Sequence, residues 1–477
     1  MIIPSIDLMD GRAVQLRRGK EFVLDGGDPF ERLEEFSVAG EVAVVDLDAA
    51  MGQGSNTPII RELVRQAPCR VGGGIRDIDT ALTWLDAGAE RVVIGTAASV
   101  DFCSQLPRER VIAAVDAEGG RVVVEGWQTK TEHGVIDRIK ELTPVVSGFL
   151  LTQVEYEGGM SGWNEDLVGQ AVQAAGSVRI TAAGGITTAE DVGRLDHLGA
   201  DAQVGMALYT NRMSLGEAVG APLVKAIDGR LWPTVVCDEE GHALGLVWST
   251  RESLEAAVRE RRGIYWSRSR DALWIKGETS GATQQLLRVE LDCDRDALRF
   301  VVRQRGSGFC HTGTQGCWPT PFTLSTLSDV IARRGQEAPE GSGTAKLMAD
   351  PALLVSKLRE ETEELIQALQ ADEAASGTRS RDDAGSGYVD GGDARTGDSA
   401  EPANEVIHEA ADLLYFTLVA AASRGAGVDA LRRELAQRSL RVRRRPMTAK
   451  PDEAKSDEAK SDTPKLDEAK PDDGENR

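Results

Sequence analysis

The chain is short of several things, and each shortage narrows what it can be. It has 6 cysteines in 477 residues, too few and too scattered for a disulfide framework, so a reducing, cytoplasmic setting is expected. No apolar run reaches the length of about 18 residues that a membrane-spanning helix needs. Its first residues, "MIIPSIDLMDGRAVQL", lack the basic leader and cleavage pattern of a signal peptide. Positive charge is also scarce. With 55 Lys and Arg against 77 Asp and Glu, the net charge is −22, which speaks against a nucleic-acid or anionic-membrane partner. Aromatic residues are 5%, yet 41% hydrophobic residues can still build real cores. The length exceeds what one core organises, so several domains are expected.

What is present falls into zones. Residues 1–225 alternate short apolar runs ("VAVVDLD", "RVVIGTA", "VIAAVDA", "GFLLTQV") with helix-like stretches, the pattern of a parallel sheet with crossovers. Residues 228–318 are strand-rich, with "ALGLVWS", "LLRVELD" and "LRFVVRQ". Residues 322–445 read as helical, interrupted by a Gly/Ser/Asp-rich stretch over 371–403. That stretch cannot bury a core and is expected to be a disordered insertion. The tail, 446–477, repeats a charged five-residue unit ("KPDEA", "KSDEA") and is expected to be a solvated extension.

The first zone repeats itself. Gly73-Gly74 aligns with Gly184-Gly185, Gly95 with Gly205, and Asp7 in "SIDLMDG" with Asp116 in "AAVDAEGG". The offsets all lie near 110 residues, which suggests two fused half-units making one (β/α)8 barrel. Asp7 and Asp116 each follow an apolar strand and fall at the catalytic, C-terminal face, where two carboxyls suit general acid/base work. The two Gly-rich turns are each expected to open a helix whose N–H groups favour phosphate. Gly95-Thr96 and Gly205-Met206 would complete the two cradles. One such turn alone reads as no more than a tight turn. The matched pair favours a substrate with a phosphate at each end.

On "IIPSIDLMDGRAVQL", "VVDLDAA", "VGGGIR", "VIGTAA", "EGWQ" and "ALY", nearly all of residues 1–225 resembles the histidine-biosynthesis isomerase family HisA. The resemblance implies a TIM barrel that carries out an Amadori rearrangement of the bisphosphorylated ribonucleotide ProFAR. In it Asp7 would be the base, Asp116 the acid that opens the ribose, and Thr152 a supporting residue. Two departures, Glu157-Gly158-Gly159 in place of Asp-Gly-Thr and Ala183 in place of Ser, would loosen substrate contacts.

In "RVELDCDRDALRFVV", residues 288–302, strand alternation would send Val289, Leu291 and Cys293 one way and Glu290, Asp292 and Asp294 the other, with Asp296 in a turn. Hard carboxylates suit Mg²⁺ and soft thiolates suit Zn²⁺. "GFCHTGTQGCW" adds Cys310, His311 and Cys317. Three thiolates would form a zinc site with its fourth position open to water, whereas a lone Cys would read as a buried thiol beside an acidic turn. On "YWSRSR", "LWIKGETSG", "LDCDRDAL" and "CHTGTQGC", residues 228–318 resemble phosphoribosyl-AMP cyclohydrolase. The resemblance implies a small, mainly-β α+β zinc domain that opens an adenine ring. It carries over Cys293, Cys310 and Cys317 as zinc ligands and Asp292, Asp294 and Asp296 as Mg²⁺ ligands. His311 becomes a catalytic candidate, and Ser267, Arg268, Arg270 and Lys276 become substrate contacts. Zinc ligands drawn from two subunits imply a homodimer through this domain.

"SKLREETEELIQAL" places Glu361 and Glu364 on one helical face, and "IHEAADLLYFTLV" does the same for Glu409 and Asp412. Facing each other, and joined by Glu360, they would gather carboxylates around Mg²⁺ and a pyrophosphate. "EETEE" by itself reads as a salt-bridged surface. With "SGTAKL" and "EAADLLYF", residues 322–445 resemble phosphoribosyl-ATP pyrophosphohydrolase of the all-α, MazG-like type.

The expected architecture is therefore multidomain, and the expected partners are small phosphoribosyl nucleotides. The three activities run in reverse order along the chain. Two alternatives stand beside this reading. One is a bifunctional cyclohydrolase/pyrophosphatase with a non-catalytic barrel scaffold, and the other is a regulatory nucleotide-binding protein without turnover.

Overall fold

The apolar runs of the first zone become eight parallel strands. They are β1 Ile2–Met9, β2 Val42–Asp46, β3 Cys69–Gly72, β4 Arg91–Ile94, β5 Val111–Glu118, β6 Gly148–Gln153, β7 Arg179–Ala183 and β8 Ala200–Val204. In this computed structural model β8 returns to β1 through the pairs Ile2↔Ala202 and Ile3↔Gln203, and the sheet closes into a (β/α)8 barrel. Strands covered on both faces need near-continuous small and branched apolar residues, which "VAVVD" and "GFLLTQ" supply. The structure describes residues 1–443 except Glu125, Gly126, Gln128, Lys225, Ile227, Asp228, Thr320, Pro321 and 377–400, and leaves aside the side chains of 372–376 and 401–403.

Barrel helices start on side-chain caps. Asp77 accepts from the Thr80 N–H ahead of Ile78–Ala87, and Thr188 forms a capping box with Asp191 ahead of Ala189–His197. Such caps stabilise by about 1 kcal/mol each, and these two sit at equivalent points of the internal repeat. Two β-hairpins interrupt the βα rhythm, Arg12–Arg17 with Glu21–Gly27 after β1, and Arg121–Val124 with Thr129–Gly134 after β5. They too occupy matching points of the repeat, over the mouth of the barrel. Gly19 at the tip of the first lies so close to the Trp127 ring of the second that a Cβ there would stand 2.8 Å from it.

The second zone forms a four-stranded mixed sheet in the order Ala243–Ser249, Trp232–Cys237, Leu298–Gln304, Gln284–Leu291, with the helix Arg251–Glu260 and the hairpin Ile264–Ser267/Ala272–Ile275. Its centre is Tyr265, fully buried against Phe300, with its hydroxyl donating to Gln284 Oε1 at 2.6 Å. One continuous apolar cluster runs from the barrel into this sheet. The joint is tight, since a Cβ on Gly216 would lie 2.7 Å from the Glu255 Cα. Helix Leu215–Gly220 can cross Arg251–Glu260 this closely because Gly216 has no side chain.

Five helices follow: Leu324–Glu337, Gly343–Ala349, Pro351–Ser376, Glu401–Ala422 and Val428–Ser439. They share a smaller core of Ile331, Leu347, Leu354, Leu418 and Val419. The expected insertion 371–403 is narrower than its composition suggested, because helix continues to Ser376 and resumes at Glu401. Ala, Glu and Gln are good helix formers and carry the first helix past Ala371. The remainder of the insertion, and the tail 446–477, lie outside the described residues. No described helix is long and apolar enough to cross a membrane.

Candidate active sites

Asp7 and Asp116 lie at the C-terminal ends of β1 and β5, facing into the mouth. Burial pushes the Asp7 carboxyl up to about 6, while a hydrogen bond from the Ser5 hydroxyl to Oδ1, 2.7 Å long, partly opposes this. Asp116 is also raised by burial, against hydrogen bonds from Trp127 and Thr152 that lower it. Strand register explains the second partner, because Thr152 on β6 pairs directly with Asp116 on β5. A third carboxyl joins them. Glu157 follows the short helical turn after β6, and burial together with the negative charges of Asp7 and Asp116 raises it to about 7. Sequence reasoning treated Glu157 only as a departure that loosens contacts, yet it sits within the electrostatic reach of both aspartates.

The glycine turns correct one expectation. The helices begin not at the glycines but at Ile78 and Ala189, behind the capping side chains of Asp77 and Thr188, so the caps already take up part of the free N–H set. The glycines are needed for close backbone packing. At positive φ, a Cβ on Gly73 would stand 2.2 Å from the Asp46 carbonyl oxygen, and one on Gly185 would stand 1.7 Å from that of Gly162. Gly95 faces open space. Gly205 caps the single turn Met206–Tyr209, and Gly74, Thr96 and Gly184 lie on the same rim of βα loops.

The loop after Gln284–Leu291 is built differently from the expected strand. The strand ends at Leu291, and Asp292–Asp296 form a turn. Asp292 Oδ1 accepts from the N–H groups of Asp296 and Ala297 at 3.0 and 3.1 Å. This hydrogen-bonded turn interrupts the alternation that would have separated Asp292 from Cys293. It gathers Asp292, Asp294 and Asp296, each with a carboxylate oxygen within 4.8 Å of the others. Arg295 takes the left-handed region at φ 64°, unusual for a residue with a Cβ.

The cysteines divide. Cys310 and Cys317 interact with each other, and Thr312 donates to Cys310 Sγ at 3.1 Å. Hydrogen bonds from Thr312 and Thr314 hold the Cys310 thiol down to about 6, while burial and the neighbouring Cys310 raise Cys317. Cys293 is exposed, and among the described residues no metal-competent group of three includes a cysteine. His311 Nδ1 lies 3.8 Å from Cys310 Sγ. Lys276, expected as a substrate contact, lies beside the thiols. It is buried, donates to the Ala282 carbonyl at 3.3 Å, and stands over the Phe309 ring. Arg268 stacks on Trp248 at 4.5 Å, and Arg270 donates to the Ser267 hydroxyl at 3.1 Å.

On the helices, Glu360, Glu361 and Glu364 form one carboxylate triad, and Glu361, Glu409 and Asp412 form a second. Glu361 belongs to both and is 6% exposed. Burial and the charges of Asp412 and Glu364 raise it, although Lys357 stands 3.7 Å away. The sequence stretches "SGTAKL" and "EAADLLYF" meet through the Thr344 and Tyr415 hydroxyls at 2.8 Å.

Three segments match known families in succession. Residues 1–214 match the family described as histidine biosynthesis protein, 245–319 match phosphoribosyl-AMP cyclohydrolase, and 324–439 match phosphoribosyl-ATP pyrophosphohydrolase. Over 232 residues the chain is 33% identical to the 1-(5-phosphoribosyl)-5-((5-phosphoribosylamino)methylideneamino)imidazole-4-carboxamide isomerase of Methanocaldococcus jannaschii, covering 46% of this chain and 98% of that protein. The chain belongs to the histidine biosynthesis family. Similarity extends to the histidine biosynthesis trifunctional protein of Neurospora crassa, 33% identical over 382 residues, 78% of this chain and 37% of that one. The bifunctional protein his7 of Schizosaccharomyces pombe is 38% identical over 215 residues, 45% of this chain and 44% of that one. The chain thus spans between a quarter and about two fifths of the length of the trifunctional relatives.

In this member of the histidine biosynthesis family, a cavity of about 730 Å³ opens at the opposite, N-terminal end of the barrel. It is lined by Arg70, Arg179, Asp201 and Arg288 and contains none of the candidate site residues. Its cations are matched within the protein, Arg70 by Glu41, Arg179 by Asp201 and Arg288 by Glu290.

Proposed function

We propose that the chain carries three consecutive activities of histidine biosynthesis. Residues 322–445 hydrolyse phosphoribosyl-ATP to phosphoribosyl-AMP and pyrophosphate. Residues 228–318 open the adenine ring of phosphoribosyl-AMP, and residues 1–225 isomerise the resulting ProFAR. The observation that carries this reading is the presence of three separate side-chain clusters, each of the type its reaction needs, in the order of the three matched families. The setting is cytoplasmic.

In the barrel, Asp116 delivers a proton to the ribose ring oxygen as the C1′–O bond breaks. Asp7 removes the C2′ proton, and the enolamine collapses to the ketose with a proton returned at C1′. A raised carboxyl suits the acid, and a base near pH 6 is ionised at neutrality yet still basic. Thr152 orients Asp116. The rims at Gly73, Gly74, Gly95 and Thr96, and at Gly184, Gly185, Gly205 and Met206, hold the two phosphates through backbone N–H groups.

In the second region water adds at C6 and the N1–C6 bond breaks. The donor set fits a soft metal, because Cys310 is held near its thiolate form beside Cys317. Bound zinc supplies Lewis acidity that activates water near neutral pH. Cys293, standing apart from that pair, favours a homodimer in which the third thiolate comes from the partner copy. The carboxylates of the 292–296 turn are hard donors suited to Mg²⁺, while Ser267, Arg268 and Arg270 bind the substrate phosphate and His311 moves protons at the ring. Lys276 offsets the negative charge of the thiolates and contacts the substrate.

On the helices, Glu360, Glu361, Glu364, Glu409 and Asp412 fit Mg²⁺, since a buried carboxylate surrounded by others is relieved by a cation. Glu361→Gln removes the member common to both triads. Pyrophosphate release from phosphoribosyl-ATP should fall by at least ~10²-fold, while the Tm stays level or rises as repulsion is relieved. Unchanged release at saturating Mg²⁺ would show that the catalytic cluster lies elsewhere.

A further inference from the structure

The arginine in the middle of the three aspartates makes its ion pair outside the turn. Its guanidinium reaches the barrel, where Nε and Nη2 of Arg295 donate to Oδ2 and Oδ1 of Asp196, both at 2.9 Å. The pair is well shielded, with Asp196 9% and Arg295 19% exposed. Asp196 lies in the last turn of the helix Ala189–His197, and the Met1 nitrogen also sits on it, at 2.9 Å. The carbonyl of Arg295 accepts from the Val224 N–H at 2.8 Å, in the segment that leaves the barrel. Its third guanidinium nitrogen, Nη1, turns back and donates to the Asp292 carbonyl at 2.7 Å.

Arg295 is thus fixed at three points, two on the barrel side and one inside the turn. It holds a left-handed backbone that arginine does not choose unaided. The same turn directs the Asp296 and Ala297 N–H groups onto Asp292 Oδ1, which orients that carboxylate toward Asp294 and Asp296. We infer that Arg295 is the positioning residue of the 292–296 turn, and that the divalent-cation affinity of this loop depends on Asp196, a residue of the barrel. This rests on the reading of the turn as a Mg²⁺ site.

Arg295 and Asp196 touch neither substrate nor reacting atoms in that reading, so the readout is metal binding rather than turnover. Mn²⁺ is titrated into the full chain carrying Glu361→Gln, which silences the helical triads, and bound Mn²⁺ is followed by electron paramagnetic resonance. Asp292→Asn in this background marks which bound Mn²⁺ belongs to the loop. Groups that orient metal ligands typically affect affinity by about 10–100-fold. Arg295→Lys keeps the charge but loses the two-pronged contact, and it should weaken the loop site by about 10-fold or more. Asp196→Asn should do the same, and the double variant should be no worse than the poorer single one, because both break one contact. Affinities within about 2-fold of the parent in both single variants, with Asp292→Asn still abolishing the site, would reduce the pair to a structural clamp and overturn the inference. If Asp292→Asn removes no bound Mn²⁺, the metal reading of the turn fails, and the inference with it.

Discussion

Cys310→Ala should abolish ring opening of phosphoribosyl-AMP while pyrophosphate release from phosphoribosyl-ATP continues. Cys310 is the thiol most ready to bind a metal, held down to about 6 by hydrogen bonds from Thr312 and Thr314. Removing it leaves Cys317, whose thiol is raised by burial, and Cys293 of a second copy, too few thiolates to hold the metal. Lewis-acid activation is worth several kcal/mol, so the loss should be on the order of 10³-fold or more. Zinc content should fall from about one per chain to near zero. The helical triads share no residue with the thiol pair, so pyrophosphate release serves as the internal control for folding. Retained ring opening in the variant, or in wild-type protein stripped of zinc, would remove zinc from the mechanism.

Asp7→Asn should retain binding of the aldose ribotide and lose its isomerisation by about 10²–10⁴-fold, and Asp116→Asn should do likewise without touching the other two reactions. The pH profile makes this prediction sharper. With Asp7 at about 6, the acid limb of kcat/KM should fall near pH 6. Glu157, raised to about 7, is mostly protonated where Asp7 titrates, so Glu157→Gln should leave that limb in place. The stability effect has the opposite sense from that of a paired carboxylate. Glu157 is raised from 4.5 to about 7 in the folded chain, so its contribution is fully present below about pH 4.5 and lost as pH rises through about 7. Glu157→Gln should therefore gain stability relative to wild type between pH 5 and pH 8, measured by urea unfolding. An acid limb that moves in Glu157→Gln, or a variant with no pH-dependent gain, would contradict this order of titration.

Local patterns in the sequence carried far. Apolar runs alternating with helical stretches, and the internal repeat near 110 residues, were enough to place Asp7 and Asp116 at one barrel mouth. The spacing of Glu361, Glu364, Glu409 and Asp412 sufficed to gather them on two helices. Side-chain alternation failed at Asp292, because backbone N–H groups inside a turn compete with strand pairing, and strand period carries no sign of that. The glycine turns were located correctly but not explained, since the contact that forbids a Cβ on Gly185 comes from Gly162 on another loop. The surroundings of Lys276, Glu157 and Arg295 were not legible for one shared reason. Each owes its role to partners distant in sequence, such as Asp196 for Arg295, and no local window shows them. The matched hairpins after β1 and β5 left one signal that could have been used, the turn-forming "MDG" and "EGG" at equivalent points of the repeat.

The most direct measurement follows one substrate through the purified chain. Wild-type protein is given phosphoribosyl-ATP with Mg²⁺ and Zn²⁺, and the products are resolved over time by liquid chromatography and mass spectrometry, with the aldose and ketose ribotides separated. Three activities on one chain predict release of pyrophosphate, transient phosphoribosyl-AMP, and final accumulation of the ketose ribotide, with the aldose never more than an intermediate. Lasting accumulation of the aldose ribotide, with no ketose formed, would contradict this and leave the barrel as a scaffold for two hydrolases.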